Sequence, residues 1–382
     1  MLNSVTTEVR RNEDSHIYEL FHSGVSLNCK IFTFIDPITK TENDHYWLTK
    51  GPTLEIYNSK KILIRSIDVF PIRELKIKIS GIRLTEDNEK VVIWGRSSFI
   101  VLDIMSDLYD IKVPLLEDLN LLEKKDYIPY DSITTTNGKS NTIFKQSILN
   151  VEKRINTIGN WITDALYEGE RVYLLTSCNE VIIWDDYLNV LKQTVQLQNI
   201  KSISYKGSLK LRNNMIIVIS PTIIAGCHIW TINIEENNYK TNLLYTLSEN
   251  VHHGIIFDSQ IDNDFRHLIT CSDDRSINLY NFETGELIAK IYGHQARIWS
   301  LKFVYNDVMD LFGIISCSED CNFILWKFSN DYKQLHKHSI HEVTQIKNCW
   351  SFDYKNDKVL TCGNDGRVKI TNVFVNKIDE SV

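Results

Sequence analysis

Three segments toward the C-terminal end of the chain align without gaps: Leu268-Ile-Thr-Cys-Ser-Asp-Asp274-Arg-Ser-Ile-Asn-Leu-Tyr280, Ile314-Ile-Ser-Cys-Ser-Glu-Asp320-Cys-Asn-Phe-Ile-Leu-Trp326 and Val359-Leu-Thr-Cys-Gly-Asn-Asp365-Gly-Arg-Val-Lys-Ile-Thr371. Their central aspartates stand 46 and 45 residues apart. A period of this length constrains a chain more tightly than composition does. One such unit cannot bury its apolar face alone, so units must stack on one another. Each segment reads as a strand, a tight polar turn and a second strand alternating in period two.

The same beat continues upstream. Leu174–Asp185 carries a Trp184-Asp185 dipeptide, Ile216 through Trp230 follows 46 residues on, and Tyr46–Tyr57 and Val91–Leu102 form two earlier strand pairs. Units ending near Tyr57, Leu102, Trp184, Trp230, Tyr280, Trp326 and Thr371 make seven. Every spacing is 45 to 50 residues except the 82 between Leu102 and Trp184, which marks one insertion over 103–160. The chain makes all these turns with 15 Gly and 6 Pro in 382 residues. Its turns use Ser, Asp, Glu and Asn instead, whose side chains bond back to nearby backbone.

The sixth unit is the most complete: Gly293-His294, then Ile298-Trp-Ser-Leu-Lys-Phe303, then Ser316, Asp320 and Trp326. This pattern resembles the WD-repeat family. The resemblance implies an all-β fold, a seven-bladed WD-repeat β-propeller, in which His294, Ser316, Asp320 and Trp326 form a buried hydrogen-bonded chain. Such a network is tolerable only when its members satisfy one another. The other units are degenerate, with Tyr280 and Thr371 in the Trp position. After Thr371 only 11 residues remain, too few for a confident outer strand, so an N-terminal strand, Ile17–Phe21 or Val25–Phe34, is expected to close the single ring. Within the insertion, Pro114–Lys125 has the leucine spacing of a short amphipathic helix and 131–141 is polar. The insertion reads either as a decorated inter-blade loop or as a partner-docking element.

Lys and Arg number 42 against 49 Asp and Glu, a net charge of −7, which excludes broad phosphate neutralisation as the basis of binding and speaks against DNA as a partner. No run of 18 apolar residues offers a membrane span, and Met1–Asp14 lacks the apolar stretch of a secretory signal, so a soluble cytoplasmic protein is expected. Cys271, Cys317 and Cys362 repeat one structural position and read as buried, reduced thiols. No glycine-rich phosphate loop, His-Glu-x-x-His or Gly-x-Ser-x-Gly occurs. No catalytic residue, no metal site and no cofactor are expected. His336, His338 and His341 read as a solvated turn between the sixth and seventh units, with zinc or copper the alternative.

Aligned first strands place Trp161, Phe257, Trp299 and Trp350 at corresponding positions. They either fill the ring between blades or form an aromatic rim at the channel mouth, with Arg275 and Arg297 beside it, for gripping a protein partner. The wording of His252–Phe257, Ser272–Ile277, Gly293-His-Gln-Ala-Arg297-Ile-Trp299 and Ser318-Glu-Asp-Cys321 narrows the resemblance further. Over roughly residues 250–372 it is similar to the first propeller of the WD-repeat accessory subunits of the tRNA ribose 2′-O-methyltransferase that acts on the wobble nucleotide. That resemblance implies a non-catalytic scaffold whose partner is the methyltransferase catalytic subunit, with indirect or weak tRNA contact. Members of that family continue into further propellers, whereas 382 residues suffice for one seven-bladed ring with one insertion. A general scaffold for trafficking or complex assembly, with no RNA role, is the alternative.

Overall fold

The computed structural model describes residues 18–21, 31–35, 44–69, 78–96, 98–109, 161–188, 190–197, 203–223, 226–234, 239–247, 252–306, 309–342, 349–355, 357–363 and 367–373. Among the described residues the strands form seven antiparallel sheets, six of four strands and one of three. In chain order these are blades 1 to 7, and within each the strands run a to d from the axis outward.

Blade 1 comprises Ile31–Ile35, Asp44–Lys50, Thr53–Tyr57 and Leu63–Asp68. Blade 2 has Gly81–Leu84, Lys90–Gly95 and Ser98–Asp103. Blade 3 is Ile162–Glu168, Arg171–Thr176, Glu180–Asp185 and Val190–Gln196, and blade 4 is Ser208–Arg212, Met215–Pro221, Cys227–Asn233 and Thr241–Leu247. Ile256–Ile261, His267–Ser272, Ser276–Asn281 and Leu287–Tyr292 make blade 5. Blade 6 follows with Ile298–Tyr305, Leu311–Ser318, Asn322–Phe328 and Leu335–Glu342, and blade 7 takes Cys349–Lys355, Lys358–Gly363 and Arg367–Asn372 from the end of the chain. From blade 2 to blade 7 the a strands of successive blades touch, those of blades 5 and 6 most extensively, and that of blade 1 meets that of blade 7.

The ring closes through the N-terminal segment. Tyr18–Phe21 lies antiparallel against Arg367–Asn372, with Tyr18 opposite Ile370 and Phe21 opposite Arg367, and so supplies strand d of blade 7. Of the two segments expected to close the ring, the first does so. The second contributes strand a of blade 1 from Ile31 onward, pairing with Asp44–Lys50. The outer edge of strand c in blade 7 is thereby paired, where an open edge would invite pairing with other chains.

Blades pack face to face, which changes the burial pattern of the middle strands. His267–Ser272 is buried at every position and Leu311–Ser318 at all but one, rather than on alternate residues, because each has a neighbouring blade on both sides. Ile269, Cys271, Ile277 and Leu279 of blade 5 share one apolar cluster with Ile298, Leu301, Ile314 and Trp326 of blade 6. Tyr46 and Leu48 of blade 1 meet Leu360, Cys362, Val368 and Ile370 of blade 7 at the closing seam. Cys271, Cys317 and Cys362 occupy equivalent places in strand b, and the described cysteines are free thiols.

The positions 57, 102, 184, 230, 280, 326 and 371 all fall in c strands. Opposite five of them, Tyr57, Trp184, Trp230, Tyr280 and Trp326, strand d carries a bulge. A bulge adds twist and bends the exposed edge away from flat pairing. Twelve non-glycine residues, Arg275 and Cys321 among them, adopt left-handed backbone at turns, against three glycines among the described residues. Arg275 and Cys321 each follow the turn aspartate of their unit, which is how the chain turns with so little glycine.

After Asp103 the chain makes one π-helical turn, Ile104–Leu108, and Tyr109 then reaches back to blade 1. Its hydroxyl lies 2.8 Å from His45 Nδ1 and accepts from Trp47 Nε1 at 3.1 Å. The helix expected over Pro114–Lys125 and the polar stretch 131–141 lie outside the described residues.

Deletion of residues 1–35 removes strand d of blade 7 and strand a of blade 1 together. It should lower the melting temperature of the whole ring by upwards of about 5 °C, as one cooperative transition. Thermal melting followed by circular dichroism checks this; an unchanged transition would contradict closure.

Candidate functional site

His294 enters the structure from the loop between blades 5 and 6. Its Nδ1–H donates to Asp320 Oδ2 at 2.8 Å, and its Nε2 accepts from Ser316 Oγ at 2.8 Å. Ser316 Oγ in turn accepts from Trp326 Nε1 at 2.8 Å. The four side chains thus form one continuous hydrogen-bonded chain from Trp326 to Asp320. Asp320 also accepts from the Gln295 and Asn322 amides at 2.8 and 3.1 Å, tying the inter-blade loop to the b–c turn. Burial works against the Asp320 carboxylate, but the His294 hydrogen bond and these amides hold its pKa below the ordinary value. Gly293 is required here, because a Cβ at that position would stand 2.6 Å from the Trp326 ring.

Blade 5 holds a second network that the sequence reading did not identify. His252 Nδ1 reaches Asp274 Oδ2 at 3.1 Å and its Nε2 lies 2.7 Å from Thr270 Oγ1. Asp274 accepts from the His253 and Ser276 amides, both at 2.9 Å. Tyr280 takes the place of the Trp, and its hydroxyl accepts from Asn278 Nδ2 at 3.1 Å. The signal was legible: Thr270, Asp274 and Tyr280 keep the relative spacing of Ser316, Asp320 and Trp326, and only the Trp-to-Tyr change masks it. By contrast, Trp94, Trp184 and Trp230 keep buried indole N–H groups with no acceptor.

The aromatic residues at the start of the a strands obey a second rule. Ile256 pairs with Ser272 and Asp258 with Cys271, leaving Phe257 as a bulged residue. Trp299 is bulged between Ile298 and Ser300, and Trp350 between Cys349 and Ser351. In blade 3 the bulge falls at Thr163, not at Trp161. Backbone hydrogen bonds agree: the carbonyls of Trp161, Ile255 and Arg297 accept from Ser177, Asp273 and Glu319 respectively. Trp161 thus corresponds to Arg297, two residues before the bulge, and its alignment with Trp299 is corrected.

The three bulged aromatics and Tyr205, from the loop leading into blade 4, form a continuous array. Tyr205 packs edge-on against Phe257 at 5.1 Å, Phe257 meets Trp299 at 4.6 Å, and Trp299 meets Trp350 at 4.9 Å. Phe257 is buried beneath its neighbours, Trp299 and Trp350 are half-buried, and Tyr205 is exposed. The Arg297 guanidinium stacks 5.5 Å above Trp299 and pairs with Asp273 at 3.2 Å and Glu319 at 2.7 Å, acids from the turns of two successive blades. Arg275 stands exposed in the turn of blade 5. The array therefore opens on the face that carries the b–c turns, with a cation fixed at its edge.

His336, His338 and His341 lie on strand d of blade 6 rather than in a turn, a correction of the sequence reading. His341 stacks on Phe323 at 4.6 Å and His338 meets Phe312 edge-on at 5.9 Å. A bulge at His338 interrupts the alternation of this strand, and no group of three or more His, Cys, Asp or Glu among the described residues is placed to hold a metal.

The family model described as "WD domain, G-beta repeat" matches residues 242–281 and 285–327. The chain is a seven-bladed β-propeller in which two of the units are matched as WD repeats. Each match runs from strand d of one blade through strand c of the next, and the two hold the His252 and His294 networks. The protein transport protein SEC13 of Cryptococcus neoformans is 27% identical over 139 residues, which are 32% of this chain and 41% of that protein. SEC13 of Lodderomyces elongisporus is 32% identical over 85 residues, 22% of this chain and 27% of it. The nuclear distribution protein PAC1 of Candida dubliniensis is 23% identical over 234 residues, 59% of this chain and 43% of it. The chain thus spans less than half the length of these relatives. The WD40 β-propeller domain of Doa1 superposes with a TM-score of 0.58 at 14% identity, over 91% of this chain and 94% of that one. The designed Ika8 protein gives 0.56 at 13% identity, over 92% and 98%.

Trp326→Phe removes the donor to Ser316 and should cost about 1–2 kcal/mol. Trp230→Phe, whose indole N–H has no acceptor, should cost distinctly less, and chemical denaturation of the two variants separates them. Burial is the main influence on His252 and lowers its pKa from 6.5, with the Asp274 hydrogen bond acting in the opposite direction and Lys290 and His253 adding to the lowering. The unfolded chain then binds the proton first, so stability falls as pH drops below about 6.5. Asp274, also held low, adds its loss at still lower pH. Melting should decline from about pH 7.5 to about pH 5.5, and less steeply in His252→Asn.

Proposed function

We propose that this propeller is a non-catalytic scaffold for protein assembly, of the kind that serves trafficking or complex formation, and that it works in the cytoplasm. The observation that carries the reading is the array of Tyr205, Phe257, Trp299 and Trp350 with Arg297 clamped at its edge. Large aromatics and arginine dominate binding hot spots because they bury much area at low entropic cost. Arg297 is already oriented by Asp273 and Glu319, so little freedom is lost when a partner covers it. The likeness to SEC13, named as a protein transport protein, supports transport or assembly over RNA modification. Among the described residues no helix is long and apolar enough to cross a membrane. The ring acts in this reading as one unit, with 103–160 set between its second and third blades.

A second reading, an accessory subunit that holds a tRNA 2′-O-methyltransferase, rests on the string Gly293-His-Gln-Ala-Arg297-Ile-Trp299 and the turn Glu319-Asp-Cys321. Both readings use the same docking residues, Arg297 and Trp299, and differ in the partner.

Tagged wild type and the Arg297→Ala, Trp299→Ala double variant should be compared by quantitative affinity purification and by melting. The expected result is a loss of about tenfold or more in captured partner with an unchanged melting temperature. Lower stability with proportional loss would instead make the aromatics core residues. Wobble ribose methylation in a strain lacking the protein separates the readings: normal methylation removes the tRNA reading and leaves the assembly scaffold.

A further inference from the structure

The a strands enclose a cavity of about 410 Å³ along the ring, within the range of small-ligand sites. Four cations and three carboxylates line it: Arg83, Lys206, Lys210 and Lys302 against Asp164, Asp258 and Asp353. Each carboxylate belongs to a cation from the preceding blade or the loop leading into it. Arg83 pairs with Asp164 at 3.1 Å, Lys206 with Asp258 at 2.8 Å, and Lys302 with Asp353. Two of these acids have a further duty. Asp164 accepts from the Leu209 amide at 2.7 Å, and Asp258 from the Leu301 amide at 3.2 Å and Ser300 Oγ at 2.7 Å.

Lys210 is the surplus charge. Its Nζ donates to the carbonyls of Ile261 and Asp262 at 2.7 and 2.8 Å, and Asn263 Oδ1 lies at 3.4 Å, so its direct partners are all neutral. The nearby Asp262 carboxylate bonds His267 at 2.9 Å and Asp264 bonds Arg266, and the attraction of both to the Lys210 ammonium offsets only part of its burial. Burial is the main influence on this ammonium and lowers its pKa to about 8. A cation held in a cavity by neutral acceptors is stabilised by any anion that enters. The surplus sits inside a protein whose formal net charge is −7. Gln260 and Ser208 line the same cavity and are neutral groups able to donate.

We propose that the central channel binds a phosphate-class oxyanion at Lys210, with Gln260 and Ser208 as neutral donors. The cavity is larger than a bare phosphate, so the ligand is either the free ion or the head of a small phosphate monoester. This site is independent of the aromatic array and of the partner that the array receives.

The test is calorimetric titration of the full chain, at physiological ionic strength, with inorganic phosphate and separately with glycerol 3-phosphate. Saturable binding of either supports the site, and tighter binding of the ester identifies an organic phosphate as its occupant. Lys210→Met should weaken binding at least tenfold, while Lys210→Arg should keep it. Since Lys210→Met also removes bonds between blades 4 and 5, Gln260→Glu gives a second arm. It supplies a carboxylate beside Ile261 and should abolish binding without lowering the melting temperature. No saturable binding of either probe overturns the proposal, as does equal affinity in folded Lys210→Met or in Gln260→Glu.

Discussion

A strand edge left open is the constraint that every blade of this ring has to meet. The repeating sequence unit begins with strand d of one blade and ends with strand c of the next, so each unit hands its first strand to its predecessor. The last blade then has no successor to complete it. Tyr18–Phe21 fills that place, so the segment preceding blade 1 is paired with strand c of blade 7, and the apolar seam of Leu48, Leu360 and Ile370 joins the two blades. Pairing across the seam makes the first and last units depend on each other, so the ring is cooperative although its contacts are mostly between neighbours. The bulges on the outer strands address the remaining edges, those facing solvent.

Within that ring, successive blades are tied at two radii. Near the axis, Asp164 and Asp258 reach forward to an amide of the next inner strand, 45 and 43 residues on, and hold it at a fixed height. Further out, the His252 and His294 networks join each inter-blade loop to the turn and the strands behind it. Buried polar groups are costly when unpaired, so networks with every donor placed specify one register, where apolar packing alone tolerates slippage. Blades 3 and 4, whose c-strand indoles of Trp184 and Trp230 are unpartnered, have kept the packing volume of the repeat without this specificity.

The repeat beat and the sixth unit were legible because they are local: Ser316, Asp320 and Trp326 lie within 11 residues, and a turn aspartate followed six residues later by an aromatic survives in one dimension. The fifth unit was legible in spacing but hidden by Tyr280. What could not be read are the features made between blades. Arg83 and Asp164 are 81 residues apart, Lys206 and Asp258 52, so nothing in the sequence marks them as partners. The one-residue bulge that shifts Trp161 out of line with Trp299 is invisible for another reason. It changes pairing, not composition, and strands with and without it share the same alternation of residue types.

That bulge explains how one short strand serves two environments. In regular pairing Phe257 and Asp258 would alternate across the sheet, each opposite its own partner on strand b. With Phe257 extruded, the pairing resumes at Asp258 opposite Cys271. The aromatic joins the array at the mouth while the carboxylate stays in the channel and ties blade 5 to blade 6. Trp299 and Ser300 repeat the arrangement, and Ser300 is the residue that donates to Asp258. Adjacent positions thus carry the aromatic array and the ring geometry separately, so the array can vary in size and chemistry while the channel contacts keep the blades in register.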